Sequence, residues 1–422
     1  MKLNRKRTIL IGLAFLSICA FWQFYDNEIP KILKNTFGMG ETLTGVIMAL
    51  DNILALFLLP FFGSLSDKCD TKIGKRMPFI LCGTALAVIF LLILAGMAQN
   101  PNALIPFIIV LLALLVAMGT YRSPAVSLMP ELTPAPLRSK ANAIINLMGT
   151  VGAVYTLLMI KFLLHTPADG SLTNYIPLAL SVAAIMVVSV GILFITVPEK
   201  KLMKEMEHED MEDKEEAEVE ASRGRKMPAD VKKSMIFLLV SVFLWFTAYN
   251  AVTTAFSRYV EQVWNLHNGA YADCLMVGTV AAVLAYIPIG NISQKIGRKK
   301  MILFGIVLMA VCYFIATFAN TYAFWFNILF ALVGVGWASI NVNSYPMVVE
   351  MAHSGDIGRF TGLYYTFSMA AQVFTPIVSG FLLEHVSYRT LFPYSTVFML
   401  LAGVTMIMVK HGDIDMKKAQ KQ

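Results

Sequence analysis

Long apolar runs separated by short polar turns repeat along the whole chain. The stretches Thr8–Tyr25, Ala103–Tyr121, Tyr175–Val197, Ser234–Ser257 and Met301–Trp325 carry no charged residue at all. Runs of this kind suit the roughly 20 helical residues that cross a hydrocarbon core of about 30 Å. A membrane-crossing strand would need about ten residues of strict alternation, which no run shows. Helices are then the structures that satisfy their own backbone groups in lipid. The pattern predicts twelve spans, over residues 8–30, 44–66, 77–98, 103–130, 140–164, 174–197, 234–260, 268–292, 301–319, 322–349, 359–384 and 389–409. The expected fold class is an all-α integral membrane protein.

Two of the polar breaks say the same thing in different words. The first runs Gly63-Ser64-Leu65-Ser66-Asp67-Lys68 and continues to Gly74-Lys75-Arg76-Met77-Pro78-Phe79. The second runs Gly290-Asn291-Ile292-Ser293-Gln294-Lys295 and continues to Gly297-Arg298-Lys299-Lys300. In each, a small residue ends one span, a tight turn follows, and fixed positive charge opens the next. They stand about half a chain apart, which implies two pseudo-symmetric six-helix bundles, an architecture of secondary transporters. Other echoes keep the same order. Trp22-Gln23-Phe24-Tyr25-Asp26-Asn27 in span one matches Trp245-Phe246-Thr247-Ala248-Tyr249-Asn250 in span seven. Ser123-Pro124 with Glu131 and Arg138 matches Tyr345-Pro346 with Glu350 and Arg359. The expected domains are therefore 1–197 and 234–422, joined by a charged, solvated, partly helical linker over 198–233.

Charge changes the picture in one respect. Only 14% of residues are charged while 57% are hydrophobic, far from a soluble domain. The net charge of +7 lies at alternate span ends, so it reads as topology rather than as a nucleic-acid surface. Lysines and arginines gather at the N-terminus, at Lys68 to Arg76, at Arg138 and Lys140, and at Lys295 to Lys300. That bias places both termini in the cytoplasm of a multi-pass plasma-membrane protein. The first span lacks a small-residue cleavage site and reads as a retained helix. Five scattered cysteines and six scattered histidines imply neither a disulfide frame nor a metal site. Walker, His-Glu-x-x-His and nucleophile-elbow motifs are missing, which argues against ATP-driven pumping and membrane hydrolysis. Gly334-Val335-Gly336 lies inside an apolar span and reads as close helix packing rather than a dinucleotide loop. No cofactor and no enzymatic activity are expected.

The hairpin resembles that of the major facilitator superfamily. Its longer form, Gly63 through Asp67-Lys68 to Gly74-Lys75-Arg76 and Ile80, resembles the sucrose–proton symporters and the neighbouring glycoside-pentoside-hexuronide cation symporters. Two departures matter. Where some sodium-coupled members carry paired acids in span two, this chain has Ala55 and Leu59, and the acid of span four is replaced by Arg122. Their sodium site is not carried over.

Charge inside a bilayer is costly, so each such residue is a functional candidate. Lys161, Arg258, Glu261 and Asp273 fall near outer span ends and read as snorkelling, and Glu28 lies close to that surface too. Asp26, Asp51 and Arg122 lie deeper. At a rise of 1.5 Å per residue, Asp51 stands about 22 Å above Ser66 and Arg122 about 13 Å above Glu131. The pair is either a structural ion pair or holds a carboxylate whose proton moves with substrate, with Asp26 as the second candidate carrier. Tyr25, Asn27, Asn52, Tyr249, Asn250, Asn341, Asn343 and Gln372 offer the donors and acceptors that suit a hydroxyl-rich ligand, and Trp22, Trp245 and Trp337 offer flat apolar faces. Spans one, seven and ten line the cavity in the superfamily that the chain resembles. The cytoplasmic gate is expected from Gly63, Asp67, Lys68, Gly74, Lys75 and Arg76, with Gly290, Lys295, Gly297 and Arg298 as its twin. Together these imply a monomeric transporter that takes up a sugar or glycoside with a proton, by rocking of its two bundles. Export of drugs or metabolites on the same fold is the alternative. A non-transporting sensor is disfavoured by intact hairpins in both halves.

Overall fold

The computed structural model describes residues 4–133, 138–165, 172–203, 228–267, 269, 271–351 and 357–413. Among them, twelve helices are long and apolar enough to cross a membrane. In chain order they are α1 (Arg5–Asn35), α2 (Glu41–Asp67), α3 (Met77–Met97), α4 (Leu104–Glu131), α5 (Arg138–Leu163) and α6 (Ile176–Thr196). Then follow α7 (Ala229–Val263), α8 (Tyr271–Ile296), α9 (Arg298–Thr317), α10 (Trp325–Met351), α11 (Ile357–His385) and α12 (Leu391–Ile407). The chain is a multi-pass α-helical membrane protein. Of the expected linker, residues 204–227 lie outside the described residues, as do the side chains of Arg138, Lys140 and Arg359.

The helix surfaces carry the reverse of a soluble protein's pattern. Ile195, Phe324, Ile287, Ile105, Leu284 and Phe57 are each at least 70% exposed. Apolar side chains on this scale meet lipid rather than water. What lies inside is smaller and more polar. An ideal Cβ on Gly152 of α5 would sit 2.1 Å from the carbonyl oxygen of Leu16, so only glycine lets α1 and α5 approach so closely. Gly334 plays the same part on α10, where a Cβ would lie 2.1 Å from the carbonyl oxygen of Gly278 on α8.

Two compact units emerge from the contacts. The first comprises residues 1–39, 50–215 and 267–272; the second comprises 40–49, 216–266 and 273–422. In the first, α1 packs on α5 and α6, and α3 packs on α4 and α6. In the second, α7 packs on α11 and α12, and α9 packs on α10 and α12. Each pairing recurs six helices later, which is the internal duplication in three dimensions. Residues 40–49, which open α2, belong to the second unit, and Tyr271 and Ala272, which open α8, belong to the first.

Candidate functional site

In the first unit the apolar packing of α1 is interrupted by one polar face. Trp22, Tyr25 and Asp26 stand at spacings of three and four, so they share a side of the helix. Asp26 and Asp51 are half-buried, and Asp26 lies near enough to Asp51 and Arg122 to feel both charges. Asp51 accepts a 2.8 Å hydrogen bond from the side-chain amide of its neighbour Asn52. Arg122 of α4 places its guanidinium carbon 5.4 Å from the centre of the Trp22 ring, within cation–π range. Among the described residues, Arg122 makes no salt bridge with either carboxylate. Trp22 packs edge-on against Tyr25 at 5.2 Å. The indole N–H of Trp22 and the hydroxyl of Tyr25 are buried without a hydrogen-bond partner. Buried donors of this kind carry a desolvation penalty until something accepts from them. Asn27 points elsewhere: it is fully buried and donates to the carbonyl of Gln23 at 2.8 Å.

The second unit carries its own set. Tyr249 of α7 stacks face to face on Trp337 of α10, with ring centres 3.8 Å apart and planes 3° from parallel. Phe246 meets the same indole edge-on at 5.2 Å. The side-chain amide nitrogen of Asn250 is buried and unpartnered, as are the Trp245 indole nitrogen and the Thr247 hydroxyl. Asn341 is exposed and lies beside Tyr286, a residue that the sequence reading did not single out. Asn343 donates to the Ser339 carbonyl at 2.9 Å and Gln372 to the Ser368 carbonyl at 3.4 Å, so both amides are turned back onto their own helices.

The two basic hairpins form polar clusters built on one plan. In the first, Arg76 is 3% exposed and donates through Nε to Glu131 at 3.2 Å and through Nη1 to the Gly63 carbonyl at 3.2 Å. It also donates to Ser66, Asp67 and Glu131 through its remaining hydrogens. Burial works against this charge, and the carboxylates of Glu131 and Asp67 outweigh it, so Arg76 holds its proton more firmly than an ordinary arginine. Lys75 adds a 3.3 Å contact to Glu131. The second cluster repeats part of this with Arg298 and Glu350 at 3.5 Å. The hydroxyl of Ser66 donates to Gly63 at 2.8 Å, and that of Ser293 donates to Gly290 at 2.9 Å. Lys68 and Lys295 point outward and are exposed.

A feature of both hairpins escaped the sequence reading, which treated Glu199 as one acid of a solvated linker. Glu199 is fully buried and accepts from the backbone amides of Lys75, Arg76 and Met77 at 2.8–2.9 Å. A carboxylate there meets the positive end of α3 and its unpaired amides. Asp413, just past α12, accepts from Arg298 at 2.5 Å and Lys299 at 3.4 Å at the start of α9. Each carboxylate presses on a glycine: a Cβ would lie 2.3 Å from Glu199 at Gly74 and 2.9 Å from Asp413 at Gly297. Both glycines also have positive φ, 119° and 100°. The signal was present in the sequence as an acid shortly after the sixth span of each half.

Comparison with known proteins agrees with this duplicated plan. The family model described as MFS/sugar transport protein matches residues 11–409. The chain belongs to that family. Among curated relatives, a sucrose transport protein of Arabidopsis thaliana is 29% identical over 137 residues, covering 28% of this chain and 23% of that protein. The multidrug resistance protein MdtG of Salmonella typhi is 22% identical over 408 residues, covering 94% of this chain and 90% of its own. Among solved structures, the inward-open xylose transporter XylE from E. coli superposes with a TM-score of 0.71 at 14% identity, covering 99% of this chain and 97% of that one. The nucleoside transporter NupG gives 0.70 at 15% identity, covering 96% and 100%. These structures share the fold, that of the major facilitator superfamily.

This MFS family member holds two further charged clusters near helix ends far from the basic hairpins. In the first unit, Glu28 and Lys31 of α1 are paired at 2.8 Å and are 0% and 1% exposed. Tyr271 donates to Glu28, and its ring lies 4.7 Å below the Lys31 ammonium. In the second unit, Arg258 of α7 pairs with Glu41 at 3.2 Å, with side chains 7% and 4% exposed, and Tyr388 donates to the same carboxylate. Arg258 was expected to snorkel and Glu28 to lie near the surface. Both are buried instead, because each has an opposite charge and a tyrosine hydroxyl close enough to replace water.

Proposed function

We propose that this MFS/sugar transport family member is a secondary active transporter that moves a sugar or glycoside together with a proton, by alternating access. The observation that carries the reading is the polar face of the first unit. Two carboxylates and one arginine share it with an indole N–H and a phenol that lack partners. A proton taken up by a carboxylate there removes a charge from a low-dielectric surrounding, and a hydroxyl-rich ligand supplies acceptors to the unpartnered donors. Asp51 is the proposed proton carrier and Asp26 the alternative. Trp22, Tyr25, Asn52, Tyr249, Asn250, Asn341 and Trp337 are the proposed substrate contacts. Proteoliposome uptake of labelled sugars, with and without an inward proton gradient, tests it. Gradient-stimulated uptake of at least one sugar is expected. The resemblance to MdtG over 94% of the chain favours a second reading, proton-coupled export of drugs or metabolites. Proton-driven extrusion of a lipophilic dye without any sugar uptake would install that reading instead.

The proposed domains are 1–197 and 234–422, flanking the 198–233 linker, in a monomer of the plasma membrane with cytoplasmic termini. Cysteines placed at Asn100 and Thr321 should then react only with reagent added outside cells. A cysteine at Glu212, which lies outside the described residues, should react only from inside. Labelling of position 212 from outside would overturn the orientation.

The hairpin clusters are proposed to latch the cytoplasmic side. The Asp67 carboxylate is 59% exposed, so its pair with Arg76 is worth at most about 1 kcal/mol. Glu131 is 22% exposed and holds Arg76 by two donors, so it is the stronger partner. Asp67→Asn should slow turnover at near-normal expression, and Glu131→Gln should slow it more. Unchanged turnover in both variants would remove the latch.

A further inference from the structure

A cavity of about 520 Å³ opens beside the α2–α3 turn, where α6 ends. Three lysines from two separate segments line it: Lys72 from the turn, and Lys200 and Lys201 from just past α6. Its remaining walls include the apolar side chains of Ile73 and Phe194, which are 39% and 41% exposed. Glu199 also borders it, but both of its oxygens are occupied by the backbone amides at the start of α3. Lys200 is held in place by Asp70 at 2.7 Å and by the Thr71 carbonyl at 3.2 Å. The Asp70 carboxylate is 84% exposed, so water screens it. Lys72 and Lys201 are exposed, and no described residue pairs with either.

We propose that this cavity binds the phosphate head group of an anionic phospholipid. The side chain of Ile195, 81% exposed and next to Phe194, marks the lipid-facing surface of α6 reaching its end. The lysines therefore stand where hydrocarbon gives way to head groups. Basic pockets at that level attract anionic lipids, and the long aliphatic stems of lysine reach along apolar surface with the charge kept in the polar zone. The apolar wall distinguishes the occupant from a free phosphate, since an acyl chain can lie on Phe194 and Ile73 while a small anion gains nothing there. The leaflet follows from the proposed orientation, while the binding itself does not depend on it.

The test is native mass spectrometry of the full-length protein delipidated in detergent and offered equimolar phosphatidylglycerol and phosphatidylcholine. One retained phosphatidylglycerol is expected, favoured by at least about tenfold, given the free-energy contribution of each lysine near an anionic surface. Lys72→Gln with Lys201→Gln should abolish the preference, and Lys72→Arg with Lys201→Arg should keep it. Phe194→Ser should weaken retention with the lysines intact, which provides a second reading if the glutamine variant folds poorly. Equal retention of the two lipids would overturn the proposal. So would a preference unchanged in the glutamine and serine variants, or displacement of the lipid by millimolar inorganic phosphate with no effect of Phe194→Ser.

Discussion

Arg258→Met is expected to lower stability by about 3–5 kcal/mol, the usual cost of leaving one member of a buried ion pair without its partner. The partner is Glu41, whose side chain is 4% exposed and also accepts from the Tyr388 hydroxyl. Removing both charges is different. Arg258→Met with Glu41→Gln replaces the pair by groups of similar volume, and an amide at position 41 still accepts from Tyr388. The double variant should recover most of the loss, because desolvation of the two ions offsets much of their attraction in the original pair. The measurement is the temperature at which the detergent-solubilised protein leaves its monodisperse peak, for both single variants and the double. A single variant as stable as the parent would mean that water reaches Glu41, and that the pair contributes no more than a surface bridge.

The second large effect concerns energy coupling. Asp51→Asn should abolish accumulation of substrate against its gradient while sparing exchange of labelled for unlabelled substrate, because a neutral amide at 51 can no longer release a proton. The geometry sharpens this test. Arg122 forms no salt bridge with Asp51 among the described residues and instead faces the Trp22 ring. Adding Arg122→Gln should therefore not restore accumulation. A restored double variant would make the pair structural. Accumulation that survives Asp51→Asn but fails in Asp26→Asn would assign the proton to Asp26, and survival in both would take it away from these carboxylates.

The apolar runs and the repeated hairpin made the helices and their duplication legible, since span length and turn chemistry are local properties of the chain. The turn that holds Arg76 was legible for the same reason, lying between a small residue and a proline-led helix. What was not legible depends on partners far away in sequence. Nothing near Arg258 announces that Glu41 will lie against it. Nothing distinguishes Glu199 from the acids that follow it until α3 presents three backbone amides to it. The aromatic pair of Tyr249 and Trp337 comes from two helices whose periodicity gives no rotation about their axes relative to each other. Counting residues leaves about 9 Å of depth between Asp51 and Arg122, and among the described residues the two are not joined by a salt bridge.

The chain is made from its N-terminus, and the two buried pairs mature at different moments. Glu28 and Lys31 are neighbours on one helix and can neutralise each other as soon as α1 exists. The arginine that pairs with Glu41 is synthesised roughly 200 residues later, about 10–40 s afterwards at ordinary translation rates. Throughout that interval the leading turn of α2 carries an acid whose arginine has yet to be made. A chain shortened before residue 258 lacks the arginine that pairs with Glu41, so such products are expected to be less stable than the full-length protein.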